Sequence, residues 1–349
     1  MHHRIMAALG MNDVKAAAAA GVALALAVVM GACGGAGGAG TASTAATRPA
    51  APATRTTARA AVPAPTHLRV VARRTLPAPV QLPAVAATGG GNALAIGGLD
   101  AADASVADVV RIAPGAPKLV GHLPAAAHDL GAAALRGKAY VFGGGTAAGP
   151  IATIAAVGPG GTVRPAGHLP VAMSDTSAAT IGGTAYVIGG YTTTTPLRSV
   201  LAIVPGHAAR DVATLPHPLR YAAVAAVGRR LLIAGGTDGV HARREVLSVD
   251  PARHRVTVIA RLPAPLGHAA GAVLGGTFFV LGGRGDGLTH QRATIWAVDP
   301  AGRRPRRAGR LPLALSDLGA VTVGDHVLVA GGRDASGRVH DELWTLAAR

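Results

Sequence analysis

Six copies of one unit constrain this chain more than any other feature, because a missed repeat misassigns the whole fold. A Gly-Gly pair closing an apolar run begins at Gly97, Gly143, Gly189, Gly235, Gly282 and Gly331, in steps of 46, 46, 46, 47 and 49 residues. A Leu-Pro pair begins at Leu76, Leu123, Leu169, Leu215, Leu262 and Leu311, always 20 or 21 residues before its Gly-Gly. A third marker is the proline that ends the next apolar stretch: Pro114, Pro159, Pro205, Pro251 and Pro300. Three markers holding phase over so many copies outweigh the bias of a chain with 49 Gly and 24 Pro.

Each unit reads as short strands. In the fifth, LPAPLGHAAGAVLGGTFFVLGG, an apolar run ending at Leu274 and a second over Phe278 to Leu281 flank a Gly-Gly turn. Two runs split by a two-residue glycine turn are a hairpin signature. Equivalent turns are expected at Gly137-Lys138, Gly182-Gly183, Gly228-Arg229 and Gly324-Asp325. Third strands follow, as at Ile154 to Val157 and Val200 to Ile203, and a fourth precedes each Leu-Pro, most clearly Val256 to Ala260. Four strands in about 46 residues make a propeller blade. The last unit stops at its third strand, Glu342 to Leu346, while Leu68 to Ala72 stands as a surplus fourth strand before the first Leu-Pro. The expected fold is therefore all-β: a six-bladed propeller of four-stranded blades over 68–349, its last blade closed by the N-terminal strand. Closure of this kind leaves few exposed edges.

The fifth-unit stretch, with its prolines, His268 and closing Gly-Gly, resembles a kelch repeat, and the likeness runs from Leu68 to Arg349. Tyr140 and Tyr186 before two of the diglycines fit it, whereas the family's fourth-strand Trp is replaced near Val256, and Trp296 and Trp344 fall on third strands. The resemblance implies kelch-like blades and a binding or scaffold module. The oxidase site that some such propellers carry needs a Tyr cross-linked to Cys, and the only Cys is Cys33.

The segment before the repeats is read separately. Ala16 to Met30 is an apolar run of 15 residues after Lys15, ending in Gly31-Ala32-Cys33. A crossing helix needs about 20 apolar residues, so this run fits a secretory signal instead. Val-Met-Gly-Ala-Cys resembles the lipobox of bacterial lipoproteins, and by that resemblance residues 1–33 are a signal peptide and Cys33 is the lipid-attachment point. Residues 34–67, almost all Gly, Ala, Thr, Pro and Arg, cannot bury enough apolar surface to order themselves and are expected to form a flexible linker. The expected location is outside the cytoplasm, anchored on the outer side of the cell membrane.

The net charge is +16, from 33 Lys+Arg against 17 Asp+Glu, which favours anionic partners. Nine aromatics (3 Phe, 4 Tyr, 2 Trp) leave little for the stacking platforms of single-stranded nucleic acid, so no nucleic acid is expected. The partner expected is a protein or a cell-envelope polymer, bound by a monomer. No phosphate loop, His-Glu-x-x-His or nucleophile elbow is present, so no cofactor and no metal are implied and no catalytic residue is assigned.

Six residues beyond the repeat leucines stand Asp129, Asp175, Tyr221, His268 and Asp317, preceded by His128, Ser174, Arg220, Gly267 and Ser316; the first unit's equivalent falls near Pro83. Antiparallel order places these at one mouth of the channel, making His128, Asp129, Ser174, Asp175, Arg220, Tyr221, His268, Ser316 and Asp317 the candidate ligand site. An enzyme using this Asp/His ring is the alternative. On the opposite face, Arg253, Arg255, Arg303, Arg304, Arg306 and Arg307 are expected in loops between third and fourth strands, as contacts to an anionic surface.

Overall fold

The computed structural model describes residues 65–349; the expectations for residues 1–64, including the signal segment, Cys33 and nearly all of the linker, lie outside the described residues. The described residues form six four-stranded antiparallel sheets. We name the strands of each blade a to d in chain order. Blade 1 comprises Ala84–Thr88, Asn92–Ile96, Asp108–Ile112 and Lys118–His122; blade 2 Gly131–Leu135, Lys138–Phe142, Thr153–Val157 and Val163–His168. Blade 3 comprises Ser177–Ile181, Thr184–Ile188, Ser199–Ile203 and Arg210–Thr214; blade 4 Ala223–Val227, Arg230–Ala234, Glu245–Asp250 and Arg255–Arg261. Blade 5 comprises Ala270–Leu274, Thr277–Leu281, Thr294–Val298 and Arg306–Arg310. Blade 6 takes strands a to c from Gly319–Val323, His326–Ala330 and Glu342–Ala348, and strand d from Leu68–Thr75. Each strand a neighbours those of the two adjacent blades, blade 6 meeting blade 1, so the ring is closed.

Position within the blade explains the sequence of each strand. Strands b and c have sheet neighbours on both sides and a blade against each face, so they are nearly continuous apolar runs, such as Lys138–Phe142 and Ser199–Ile203. A strand buried on both faces loses the alternating pattern. Strand a alternates, as in Ala84–Thr88, because one side of it lines the channel. Strand d is outermost and polar, and each c–d pairing is broken by a bulge, which twists an otherwise pairable edge.

The repeat markers are the joints between blades. The first glycine of each pair has φ near +60°. A Cβ at Gly189 or Gly235 would collide with the Leu219 or Leu266 carbonyl oxygen of the next blade's lead-in. That same oxygen accepts the N–H of the second glycine, at 2.8 Å for Gly190 and 2.9 Å for Gly236. Only glycine offers both this backbone and this proximity. The leucine of each Leu-Pro is buried, and its N–H donates at 2.7 Å to the carbonyl just before strand c of the preceding blade, as Leu215 does to Arg198.

Six apolar clusters fill the six interfaces between blades. The largest, between blades 5 and 6, has 16 buried residues, among them Leu68 and Trp344. The seam between blades 6 and 1 has only 8. Closure matches the sequence expectation but is longer than expected, with Leu68 opposite Ala348 and Thr75 opposite Glu342. The turn of blade 2 differs by one residue: strand a ends at Leu135 and Lys138 opens strand b. The turn is Arg136-Gly137, with φ of 50° and 74°, the doubly left-handed form that matches hairpin twist.

Candidate functional site

One backbone conformation builds the mouth six times. Leu82, Asp129, Asp175, Tyr221, His268 and Asp317, each just before strand a, all have φ between 52° and 60°. The first unit's equivalent is thus Leu82 and not Pro83; an apolar side chain occupies the polar position. Non-glycine residues rarely adopt this region, and such strain concentrates where surrounding structure enforces it. The enforcement is a run of backbone hydrogen bonds passing from blade to blade, from Asp129 round to Leu82. Asp175 N–H donates to Asp129 O at 3.0 Å, His268 to Tyr221 O at 2.9 Å, Asp317 to His268 O at 3.0 Å and Leu82 to Asp317 O at 2.6 Å.

The side chains converge on the mouth of a channel of about 150 Å³, whose walls are the small residues of strands a. They are largely engaged with one another. Tyr221 reaches across from blade 4 to donate its hydroxyl to Asp129 Oδ2 at 3.1 Å, and its ring stacks on His268 with centroids 3.9 Å apart. The Arg220 guanidinium pairs with Asp175, which is only 4 % exposed, and lies over the Tyr191 ring at 4.3 Å. His268 Nδ1 and Asp317 Oδ1 are 2.5 Å apart, Arg284 donates to His268 Nε2 at 2.8 Å, and Ser316 donates to Asp317 Oδ2 at 2.6 Å. Because a guanidinium only donates, Nε2 accepts in the contact with Arg284 and Nδ1 faces the Asp317 carboxylate.

Electrostatics separates Asp129 from Asp317. Burial, reinforced by the neighbouring Asp175 and Asp317 charges, pushes the Asp129 carboxyl well above the usual range, against the smaller pull of the Tyr221 hydroxyl. Its Oδ1 is buried and meets no donor; a proton there, donated to Asp175, removes that conflict. Burial also opposes the charge of Asp317, but His268, Ser316 and Arg284 outweigh it and hold the carboxyl below its ordinary value. Burial and the Asp129 and Asp175 carboxyls drive the Tyr221 hydroxyl well up, and burial lowers His128.

This arrangement restricts the chemistry available. Ser316, Asp317 and His268 have the composition of a hydrolytic triad but not its connections: the hydroxyl donates to the carboxylate, the imidazole Nε2 is occupied by Arg284, and Ser316 is 0 % exposed. A nucleophile must instead be bonded to its base. Among the described residues, no group of three or more His, Cys, Asp or Glu is placed to hold a metal ion.

Of the nine sequence-nominated residues, Asp129, Asp175, Tyr221, His268 and Asp317 line the channel, and His128, Ser174, Arg220 and Ser316 each directly precede one of them. By burial we call Ser174, Asp175, Ser316 and Asp317 the floor and the half-buried His128 and Arg220 part of an upper layer. Sequence reading missed the rest of the upper layer: Tyr191, Arg284 and Arg333, each the residue directly after a diglycine and each bridged to the residue before a left-handed position. It also missed Gln81, the first unit's counterpart of His128, which bridges Leu99 and donates to Asp103 at 2.7 Å. The position after each Gly-Gly was a readable periodic signal, but its residue type varies.

The basic candidates divide differently from expectation. Arg253, Arg303 and Arg304 lie in turns between strands c and d, but Arg255, Arg306 and Arg307 belong to strands d themselves. They belong to the outer strands because strand d opens at Arg255 in blade 4, one residue before Val256, and at Arg306 in blade 5, and a bulged, solvent-facing strand tolerates charge. Arg253 pairs with Asp250 at 2.9 Å and Arg303 with Asp299 at 3.4 Å.

No protein-family model and no curated protein matches the sequence. Solved structures do match: that titled "Structure of YjhT" is similar over 77 % of this chain and 95 % of its own, with a TM-score of 0.66 at 16 % identity. At that identity the similarity shows the six-bladed fold alone.

Proposed function

We propose that this protein is a kelch-type propeller, exported and tethered through lipid at Cys33, that binds a protein or cell-envelope polymer at its channel mouth and catalyses no reaction. One observation carries the reading: the buried carboxylates are engaged by neighbouring donors, while Arg220, Arg284 and Arg333 stay half-buried as a collar at the rim and each spends only part of its guanidinium, on Asp175, His268 and Asp103, leaving further donors for a ligand. Loops carried on a rigid scaffold are the usual place for such contacts. The kelch resemblance and the lipobox-like Val-Met-Gly-Ala-Cys support the class and the location. On this reading the protein works outside the cytoplasm, as a monomer and without nucleic acid.

An enzymatic reading keeps one argument, the protonated Asp129 beside the Arg220-bound Asp175, which has the form of a general acid next to a carboxylate. It lacks a nucleophile or a free base among the described residues of the mouth.

The tether is tested by detergent partition of the full chain with and without Cys33→Ala. The wild type is expected in the lipid-rich phase and the variant in the aqueous phase; unchanged partition rejects the anchor.

A further inference from the structure

The outer strands of the six blades differ sharply in charge. Blades 1 to 3 have KLVGH, VRPAGH and RDVAT, with one cation each and an acid in the third. Blades 4 to 6 have RVTVIAR, RRAGR and LRVVARRT, with eight arginines and no acid. Charge on a strand edge discourages pairing with other chains, but all six blades share that need, so edge protection does not explain the asymmetry.

The arginines of blades 5 and 6 form one continuous wall. Their d strands adjoin, the Leu68 carbonyl sitting so close to Gly309 that a Cβ there would stand 2.5 Å from it. Arg69, Arg73, Arg306, Arg307 and Arg310 are exposed, and none has a carboxylate within 4 Å among the described residues. Arg74 differs, being tied to the carbonyls of Ala113 at 2.5 Å and Gly115 at 2.6 Å. Val71, 43 % exposed, stands between Arg69 and Arg73. Unpaired like charges interleaved with exposed valine repel one another and gain nothing inside the fold.

We infer that this wall, the outer strands of blades 5 and 6, docks the propeller on an anionic lipid bilayer. Two observations select a bilayer among polyanions. The chain enters the propeller at Leu68, inside the wall, so an anchored chain brings this edge to the lipid surface first; this step rests on the proposed attachment at Cys33. The wall also sets one exposed aliphatic side chain, Val71, among its guanidinium groups, which suits headgroups above acyl chains. Each arginine near such a surface contributes about fivefold in binding, fading within a Debye length.

The test uses the full chain carrying Cys33→Ala, so that no lipid tether contributes, co-sedimented with phosphatidylcholine vesicles with and without phosphatidylglycerol. Binding is expected only with phosphatidylglycerol and is expected to weaken with salt. Arg306/Arg307/Arg310→Gln should lower it on the order of a hundredfold, while Arg136/Arg164/Arg210→Gln, which removes as much charge from blades 2 and 3, should lower it less than about fivefold. The same three residues changed to Lys should retain binding and the wild-type melting temperature, separating charge from misfolding. Equal loss in both Gln variants, equal binding to neutral vesicles, or binding to soluble polyphosphate without binding to phosphatidylglycerol vesicles would overturn the inference. Failure of the tether is read separately, from detergent partition of the chain retaining Cys33.

Discussion

Asp175 and Arg306 each stand within two residues of the start of a strand, yet Asp175 is buried against Arg220 while Arg306 faces water without a carboxylate near it. The same contrast holds across the mouth floor and the outer strands of blades 5 and 6. At the mouth, desolvation makes an unpaired charge costly, and the buried floor carboxylates have donors: Arg220 for Asp175, and His268 with Ser316 for Asp317. Asp129, whose one hydrogen-bond donor is Tyr221 and whose His128 neighbour stands 3.8 Å away, is driven toward its neutral form. On the outer strands water solvates the guanidinium groups, and pairing is unnecessary for folding. Charges that the fold must satisfy report on architecture; charges that it leaves unsatisfied report on what lies outside.

The largest effect should come where the outer wall is itself structural. Removing residues 65–75 takes away strand d of blade 6, uncovering Trp344 and Leu346 and withdrawing Leu68 from the largest interblade cluster. It leaves the 8-residue seam between blades 6 and 1 as part of a ring with an open last blade. Burial of about 1.5–3 kcal/mol per large apolar side chain implies a melting temperature lower by roughly 10 °C or more, measurable by circular dichroism. A truncated chain that melts with the full-length protein would show that the wall contributes only charge.

Next in size is the floor. Asp175→Asn leaves the Arg220 guanidinium partly buried with no carboxylate, and should cost about 2–3 kcal/mol in denaturant unfolding. By contrast, Arg306→Gln or Arg307→Gln should stay within about 0.5 kcal/mol of wild type, as exposed substitutions do. Similar costs for the two regions would erase the distinction drawn between them.

The smallest effect is one of pH. Because the folded-state value of Asp129 is raised, the folded protein keeps a proton that the unfolded chain has lost. The stability this contributes is present below the ordinary value of 3.8 and declines as pH rises above it. Asp334, lowered to about 2, acts in the opposite sense: its contribution is present above 3.8 and is lost as pH falls toward 2. Asp129→Asn mimics the protonated carboxyl, so its melting temperature should gain on that of wild type as pH is raised above 4. Parallel curves would mean that Asp129 is ionised in the folded protein.

Much of this was legible in the sequence because joints repeat while contacts do not. Gly-Gly and Leu-Pro recur since every interface between blades imposes the same left-handed backbone and the same buried leucine. Leu82 escaped notice because an apolar residue fills a position that is polar in the other five units. The Arg136-Gly137 turn was misplaced by one residue because an arginine adopts a conformation that composition assigns to glycine. The partners of the floor, such as Tyr221 with Asp129, lie 92 residues apart, and only the circular arrangement of blades brings them together. The arginine wall was hidden for a similar reason: its two strands are distant in sequence, and only closure sets Leu68 beside Gly309.

The central claim is that the mouth binds and does not catalyse, and it is tested most directly by passing cell-envelope extract over the immobilised full chain in three forms. These are wild type, Arg284/Arg333→Gln in the collar, and Arg306/Arg307/Arg310→Gln in the wall, each eluate being analysed for retained and for newly formed species. The account predicts a component retained unaltered by wild type and by the wall variant and lost from the collar variant. Retention indifferent to the collar, or a component recovered chemically changed, would contradict it.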